Sequence, residues 1–249
     1  MRFLETVMGI PMSVDIRNES DEVADEAAAA AFEVLRDADR RFSRYRQDSE
    51  LQAVNGGRLE EAGYSDDLRE VLRIGRAAAD ASGGAFTLRA SDGSLDTDGV
   101  VKGWAAARAA RALDGHGIRN FCLNAGGDVV VAGSPDGHAA WNVGVRSVDD
   151  AQTMMAVLAV TDCAVATSAA YERGDHIVDG RTGRAASGLR SVTVVAPDLT
   201  TADVLATSVF ALGEDGVDWA LGHGALGVIA IADDGRLLAA GALPLAVAS

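Results

Sequence analysis

The chain has 249 residues, and its 37 acidic residues outnumber its 22 basic residues, which gives a formal net charge of −15. Hydrophobic residues make up 48% of the sequence and charged residues 24%, proportions typical of a folded globular protein and not of a disordered chain. The negative charge disfavours nucleic acid and anionic lipid as partners, because both bind basic surfaces. Two cysteines, Cys122 and Cys163, are too few for a disulfide framework.

The N-terminal apolar stretch is short and is interrupted by Glu5 and Pro11. We therefore expect no signal peptide, membrane span or lipid anchor, and a cytoplasmic location. No Pro-rich or Ser-rich linker divides the sequence, so residues 1–249 are expected to form a single domain.

Strand and helix patterns along the chain predict an α+β fold. Residues 3–16 are expected to be extended, and residues 20–44 to form a helix capped by Ser20. Further helices are expected over 66–82, from near Gly103 to Gly115, over 200–213 with Thr200 or Thr201 as the cap, and over 214–222. Strands are expected in the segments 121–133, 141–146, 154–162 and 191–196, and in a hairpin around Asp234-Gly235.

Residues 112–133 and 220–241 resemble each other, and each is predicted to contain a helix end, a Gly-His-Gly stop and an apolar hairpin. The similarity favours an internal duplication over chance use of the same turn residues. We therefore expect duplicated helix–hairpin units, with helices packed on mixed or antiparallel sheets and a site between the halves. His116 and His223 occupy matching positions, which favours helix caps over catalytic groups.

Two glycine-containing turns carry charged side chains. Residues 96–103, DTDGVVKG, run into a helix and contain Lys102, the only lysine in the chain. Backbone N–H groups at a helix start beside a lysine suit a phosphate, although a plain helix-start turn has the same pattern. Residues 124–128, NAGGD, fit either a tight turn or a close approach to a ligand, and the turn is the simpler interpretation.

Two other segments combine hydroxyl, acidic and imidazole groups. Residues 166–171 and 176–183 bring Thr, Ser, His, Asp and Arg into one loop-rich region, which fits either phosphate binding or a solvated surface loop. Asp203 and Thr207 are four residues apart on one predicted helix face. A carboxylate and a hydroxyl in this arrangement suit Mg²⁺, whereas the alternative is a pair of ordinary helix residues.

In this order, the segments resemble those of the ApbE-type flavin transferases. The matching segments are Met8-Gly9, 43–55, 83–86, 95–105, 124–133, 166–173, 176–184 and 191–213. The resemblance covers nearly the whole chain and implies a T-fold-like architecture. It also implies a Mg²⁺-dependent transfer of FMN from FAD to a Ser or Thr hydroxyl of an acceptor protein, with release of AMP. A short acceptor motif of the Asp-Gly-x-Ser/Thr type is implied as well.

The resemblance also implies residue roles. Gly99, through its carbonyl, Asp203 and Thr207 would hold the metal ion. Lys102 would contact the pyrophosphate, and His176 would either activate the acceptor hydroxyl or orient the phosphate. Flavin or FAD contacts would come from Met8, Tyr45, Ala85, Phe86, Thr87, Lys102 and His176. Asp179 and Thr167 would shape the loop around the phosphates.

The sequence departs from the family pattern at several positions. Thr87 replaces an Asp, few residues separate Phe86 from Leu95, and Ala107 replaces another Asp. These changes concern the outer, adenine side of the FAD pocket, whereas the metal-binding pattern is retained. Two alternatives to the transferase therefore stay open: an FAD pyrophosphatase that releases free FMN and AMP, and a flavin-binding protein without catalytic activity.

Overall fold

The computed structural model describes residues 1–150, 152–169 and 177–246. The strands are β1 (Arg2–Val7), β2 (Ile10–Ile16), β3 (Phe121–Ala125), β4 (Asp128–Ala132), β5 (Trp141–Arg146), β6 (Met154–Val160), β7 (Cys163–Ala169), β8 (Val178–Asp179), β9 (Arg184–Ala185), β10 (Leu189–Ala196), β11 (Gly227–Ala232) and β12 (Leu237–Gly241). The α-helices are α1 (Asp21–Phe42), α2 (Glu50–Asn55), α3 (Asp66–Ala81), α4 (Asp98–Gly115), α5 (Leu199–Leu212) and α6 (Gly216–Leu221), and Glu61–Gly63 form a 3₁₀ turn.

One sheet dominates the described part of the chain. Its eight strands follow the order β1-β2-β3-β4-β7-β10-β11-β12, and each neighbouring pair is antiparallel. The α+β class with helices packed on an antiparallel sheet, as predicted, is confirmed.

The sheet consists of two halves with the same topology. In the first, the β1–β2 hairpin is followed by α1 to α4 and then by the β3–β4 hairpin. In the second, the antiparallel pair of β7 and β10, with β8 and β9 between them in the chain, is followed by α5 and α6 and then by the β11–β12 hairpin. The predicted duplication therefore extends beyond the helix–hairpin units. The halves join where β4 pairs with β7, with Val129 opposite Val165, and α4 packs against α5.

Apolar cores cover both faces of the sheet. The helices cover one face, where α1 buries a stripe of small and large side chains: Ala24, Ala27, Ala28, Ala31, Phe32, Leu35, Ala38 and Phe42. The β5–β6 hairpin supplies the smaller core over the other face, where Trp141, Val143 and Leu158 pack with Val129 and Val165. Coverage on both faces explains why β4 is a continuous apolar run instead of an alternating one.

Two predicted helix starts need correction. The helix α4 begins at Asp98 and not near Gly103, so the DTDGVVKG segment supplies its first turn. The N-cap of α5 is Asp198, not Thr200 or Thr201, because its carboxylate accepts the Thr201 N–H at 3.0 Å. Ser20 occupies the N-cap position of α1, but its side chain makes no capping hydrogen bond. Within the described ranges, no helix combines the length and the apolar character that crossing a bilayer requires.

Candidate active site at the seam between the halves

The helices α4 and α5 meet above the β4–β7 seam and carry the predicted metal and phosphate residues. Gly103 on α4 lies against α5: a Cβ at this position would lie 2.5 Å from the Leu199 carbonyl oxygen and 2.6 Å from Asp203 Cβ. The backbone N–H of Gly103 donates to Asp203 Oδ2 at 2.8 Å. The glycine therefore allows the close approach that brings Asp203 to the first turns of α4.

This hydrogen bond also affects Gly99. In a regular α-helix, the N–H of residue 103 donates to the carbonyl of residue 99. Here the same N–H donates to the Asp203 carboxylate, so the helical hydrogen bond to the Gly99 carbonyl oxygen is weakened. The contact therefore fits the predicted use of that carbonyl as a ligand.

Gly99 and Thr207 also come together. A Cβ on Gly99 would lie 3.5 Å from the Thr207 methyl group and 3.2 Å from the Phe86 ring. Thr207 is half-buried, and its hydroxyl oxygen lies 3.4 Å from Ser168 Oγ on β7, a long contact. The fold thus gathers Gly99, Asp203 and Thr207 in one place.

Among the residues that the structure describes, Lys102 lies against two buried carboxylates. Its Nζ is 2.7 Å from Asp128 Oδ2 and 3.7 Å from Asp203 Oδ1. Asp128 is 2% exposed and Asp203 is 4% exposed. The contact with Asp128 is a close ion pair and not an aligned hydrogen bond, since Oδ2 has no hydrogen-bond partner among the described residues. Burying an unpaired charge costs free energy, and the pairing with Lys102 offsets this cost for the two carboxylates.

Asp128 was not predicted as a site residue. The sequence interpretation assigned residues 124–128 to a turn, and the structure shows that turn between β3 and β4. The Asp128 side chain nevertheless points into the cluster, where Oδ1 accepts the Thr167 N–H at 2.9 Å. A carboxylate at the start of an otherwise apolar strand was the available signal.

The chain is similar in sequence to known proteins. The sequence model of the ApbE family matches residues 8–92 and 87–229. The chain belongs to the ApbE family. It is 33% identical over 208 residues to a Rhodobacter capsulatus protein named FAD:protein FMN transferase, a match that covers 74% of this chain and 39% of that protein. A Treponema pallidum protein of the same name is 34% identical over 137 residues, which cover 48% of this chain and 38% of that protein. The matches thus span about two fifths of the length of these curated relatives.

Solved ApbE structures share the fold. The ApbE protein of Thermotoga maritima superposes with a TM-score of 0.82 at 22% identity, covering 96% of each chain. The flavin transferase ApbE of Vibrio cholerae gives a TM-score of 0.81 at 21% identity, again covering 96% of each chain.

Of the remaining segments that match the ApbE family, some contact the cluster and others do not. Ala85 and Phe86 are buried, and Thr87 is half-buried. The Ala85 carbonyl accepts the Gly180 N–H at 2.9 Å, which ties this segment to the 179–183 loop. Phe86 packs beneath Gly99, so its ring supports the first turn of α4 from inside the core.

The 179–183 loop is held by an ion pair. Arg181 donates to both Asp179 oxygens at 2.9 and 3.0 Å and to the Ala211 carbonyl at 3.2 Å, near the end of α5. These hydrogen bonds from the guanidinium hold the pKa of Asp179 below its usual range. Thr167, predicted to shape the same region, faces Thr193 with 2.9 Å between the two hydroxyl oxygens.

The predicted flavin contacts Met8 and Tyr45 lie on loops. Tyr45 is 96% exposed, next to Arg44, whose guanidinium contacts the Asp96 carboxylate at 2.6 Å just before α4. Met8 forms the β1–β2 turn with Gly9, both at positive φ. Beside it, the Ile10 side chain lies where a Cβ on Gly126 would be. His176, the predicted catalytic histidine, lies outside the described residues.

His116 and His223 are helix caps, as predicted. Their Nδ1 atoms lie 2.9 and 2.8 Å from the carbonyl oxygens four residues earlier, those of Ala112 and Trp219. His223 also stacks on the Trp219 ring, at the edge of a cavity of about 270 Å³ between α3, α5 and α6. The cavity uses a different face of α5 from the one that carries Asp203 and Thr207.

The described residues contain no group of three or more His, Cys, Asp or Glu side chains arranged to hold a metal ion. The candidate donors are one carboxylate, one hydroxyl and one backbone carbonyl. All three are oxygen donors, and Mg²⁺ commonly takes one or two protein carboxylates and completes its shell with water and substrate phosphates. The donor set therefore fits Mg²⁺ bound together with a pyrophosphate better than a metal bound by protein alone.

Proposed function

We propose that this chain transfers FMN from FAD to a Ser or Thr hydroxyl of an acceptor protein and releases AMP. The observation that carries the proposal is the cluster at the seam, where Lys102 meets the predicted metal ligand Asp203, with Gly99 and Thr207 nearby. Its support is membership of the ApbE family and the shared name of the curated relatives.

The reaction joins one oxygen to phosphorus and releases another. The acceptor hydroxyl oxygen attacks the phosphorus on the FMN side of the FAD pyrophosphate, the bond to the AMP phosphate breaks, and AMP leaves. The hydroxyl proton passes to a base, a role that we assign to His176. Phosphoryl transfer depends mainly on positioning and on neutralising charge.

The residues of the cluster divide these tasks. Asp203, Thr207 and the Gly99 carbonyl would hold Mg²⁺, which when bound neutralises charge on the pyrophosphate. Lys102 would contact the phosphate oxygens directly. This local positive charge is needed because a chain with a net charge of −15 repels an anionic substrate. Met8 and Tyr45 would contact the flavin ring, and residues 85–87 would line the FAD pocket.

The test is a flavinylation assay with the purified chain, FAD, Mg²⁺ and a peptide that carries an Asp-Gly-x-Ser/Thr motif. We expect the peptide mass to rise by one FMN less one water, with one AMP released per modified peptide. The same peptide with Ala in place of the Ser or Thr, and a reaction with EDTA, serve as controls. Release of free FMN with AMP and no adduct would establish FAD hydrolysis instead. FAD binding without AMP release would establish a non-catalytic flavin-binding protein.

A further inference from the structure

The ion pair between Lys102 and Asp128 points to a role for a residue that the proposed function leaves unassigned. Asp128 is the first residue of β4 and is 2% exposed. The backbone N–H of Thr167, on the neighbouring strand β7, fixes its Oδ1 at 2.9 Å, and Oδ2 faces the Lys102 ammonium at 2.7 Å. Asp128 is therefore an anionic group held rigidly by the central strands of the sheet.

Lys102 lies at unequal distances from Asp128 and Asp203, its two carboxylate neighbours in the described part of the chain. Its Nζ is 1.0 Å closer to Asp128 than to Asp203, at 2.7 against 3.7 Å. Asp203 is fixed from the other side, since its Oδ2 accepts the Gly103 N–H at 2.8 Å. The asymmetry matters because an ammonium seated directly on Asp203 would neutralise it and would repel a divalent cation there.

We propose that Asp128 is a positioning residue that holds the Lys102 ammonium away from Asp203, so that Asp203 can bind a divalent cation while Lys102 remains beside it for the pyrophosphate. This inference rests on the proposed function, because it takes Asp203 as a metal ligand. Asp128 acts only through Lys102 and touches neither the metal ion nor the substrate.

The variant Asp128→Asn separates this role from a merely structural one. The Asn side-chain oxygen can still accept the Thr167 N–H, so the contact between β4 and β7 is retained. The ammonium, however, loses its closer carboxylate and is drawn toward Asp203. We expect the Mg²⁺ affinity of the whole chain, measured by calorimetry with FAD present, to fall about 10-fold to 100-fold, the range typical of groups that support a metal ligand.

The lysine itself provides the second measurement. Because Lys102 is the only lysine, a protein produced with isotope-labelled lysine gives the NMR signals of this one side chain alone. We expect this signal to differ between wild type and Asp128→Asn before metal is added. On titration with Mg²⁺, it should move little in wild type and strongly in Asp128→Asn, where the cation displaces the ammonium from Asp203.

Two further variants are controls. Asp128→Glu keeps the charge and should restore most of the Mg²⁺ affinity and the small response of the lysine signal. Asp67→Asn removes a carboxylate from an ion pair with Arg108, 2.7 Å apart and outside the cluster, and should change neither readout.

An unchanged lysine signal in Asp128→Asn would overturn the positioning role, and so would equal lysine responses to Mg²⁺ in both proteins. A wild-type chain that does not bind Mg²⁺ would overturn it as well. Absence of FMN transfer together with the expected pattern in Asp128→Asn would overturn the proposed function and leave the role of Asp128 intact.

Discussion

The backbone N–H of Gly103 donates to the Asp203 carboxylate at 2.8 Å, and the two residues lie on helices from different halves of the sheet. Lys102, the neighbour of Gly103, faces the same carboxylate at 3.7 Å. The contact between α4 and α5 therefore serves both packing and the candidate chemistry, and the two contributions can be measured separately.

Gly103→Ala should destabilise the protein. The new Cβ would lie 2.5 Å from the Leu199 carbonyl oxygen and 2.6 Å from Asp203 Cβ, so α4 and α5 must separate. We expect the free energy of unfolding to fall by about 1–3 kcal/mol, as in other overpacked cores. Urea denaturation measures this. The control is Gly115→Ala on the same helix, where a Cβ meets nothing within 4 Å. It should be neutral or stabilising by up to about 1 kcal/mol. Equal losses of unfolding free energy in the two variants would contradict a close contact between α4 and α5 at Gly103.

Asp203→Asn should remove divalent-cation binding without unfolding the chain. The Asn oxygen can still accept the Gly103 N–H, but the charge that attracts a cation is lost. We expect the Mg²⁺ affinity, measured by calorimetry, to fall on the order of 100-fold, and FMN transfer to fall with it. Asp198→Asn makes the same chemical change at the N-cap of α5, where Asn is an equally good cap. This control should keep wild-type affinity, and similar losses in both variants would argue against Asp203 as the ligand.

The pair of Asp179 and Arg181 should make stability depend on pH. Arg181 lowers the folded-state pKa of Asp179 from its ordinary value of 3.8. A lowered pKa stabilises the fold above the ordinary value, and this stabilisation is lost as the pH falls through the folded-state pKa. Arg181→Met should therefore cost about 1 kcal/mol near pH 7, and the difference from wild type should shrink below about pH 4.

Chemical denaturation at pH 3 and pH 7 measures this difference. Arg184→Met, at an exposed position in β9 directly after this loop, is the matched control and should show no such trend. A difference between wild type and Arg181→Met that is constant from pH 3 to pH 7 would refute the assignment to this pair.

The two cysteines should be unreactive in the folded protein. Burial raises the pKa of the Cys122 thiol to about 11 and also raises that of Cys163. The thiolate is the reactive form, so neither residue should be labelled rapidly by a thiol reagent at pH 8. Both should react after denaturation. Rapid labelling of either residue in the native protein would show that its strand opens more easily than the packing indicates.

Much of the fold could be predicted because its signals are local. The apolar stripe of α1, the apolar runs of the central strands and the turn at Asp234-Gly235 each extend over a few neighbouring residues. The repeat between 112–133 and 220–241 also indicated the duplication, since each half ends in the same helix and hairpin.

The start of α4 was placed incorrectly because its first turn depends on contacts from distant segments. Glycines at 99 and 103 disfavour a helix when only local propensity is considered. In the structure, Phe86 packs beneath Gly99, and Asp203 accepts the Gly103 N–H. These contacts come from other elements, so the sequence around residue 98 contains no sign of them.

The candidate site likewise contains residues that local sequence could predict and residues that it could not. Asp203 and Thr207 could be paired from their spacing on one helix, and Lys102 stood out as the only lysine. Asp128 could not be assigned, because its partners lie on α4 and β7 and meet it only after the two halves pack together. The high exposure of Tyr45 likewise depends on the conformation of the loop after α1, which the composition of that loop does not determine.

The division of the cluster between halves has a practical consequence. In the first half, Lys102 lies on α4 and Asp128 lies on β4. In the second half, Asp203 and Thr207 both lie on α5. A chain cut between β4 and β7 yields two fragments, each with two antiparallel strand pairs and the helices between them, and neither with a complete cluster. Recovery of the proposed FMN transfer on mixing the fragments would report their reassembly directly.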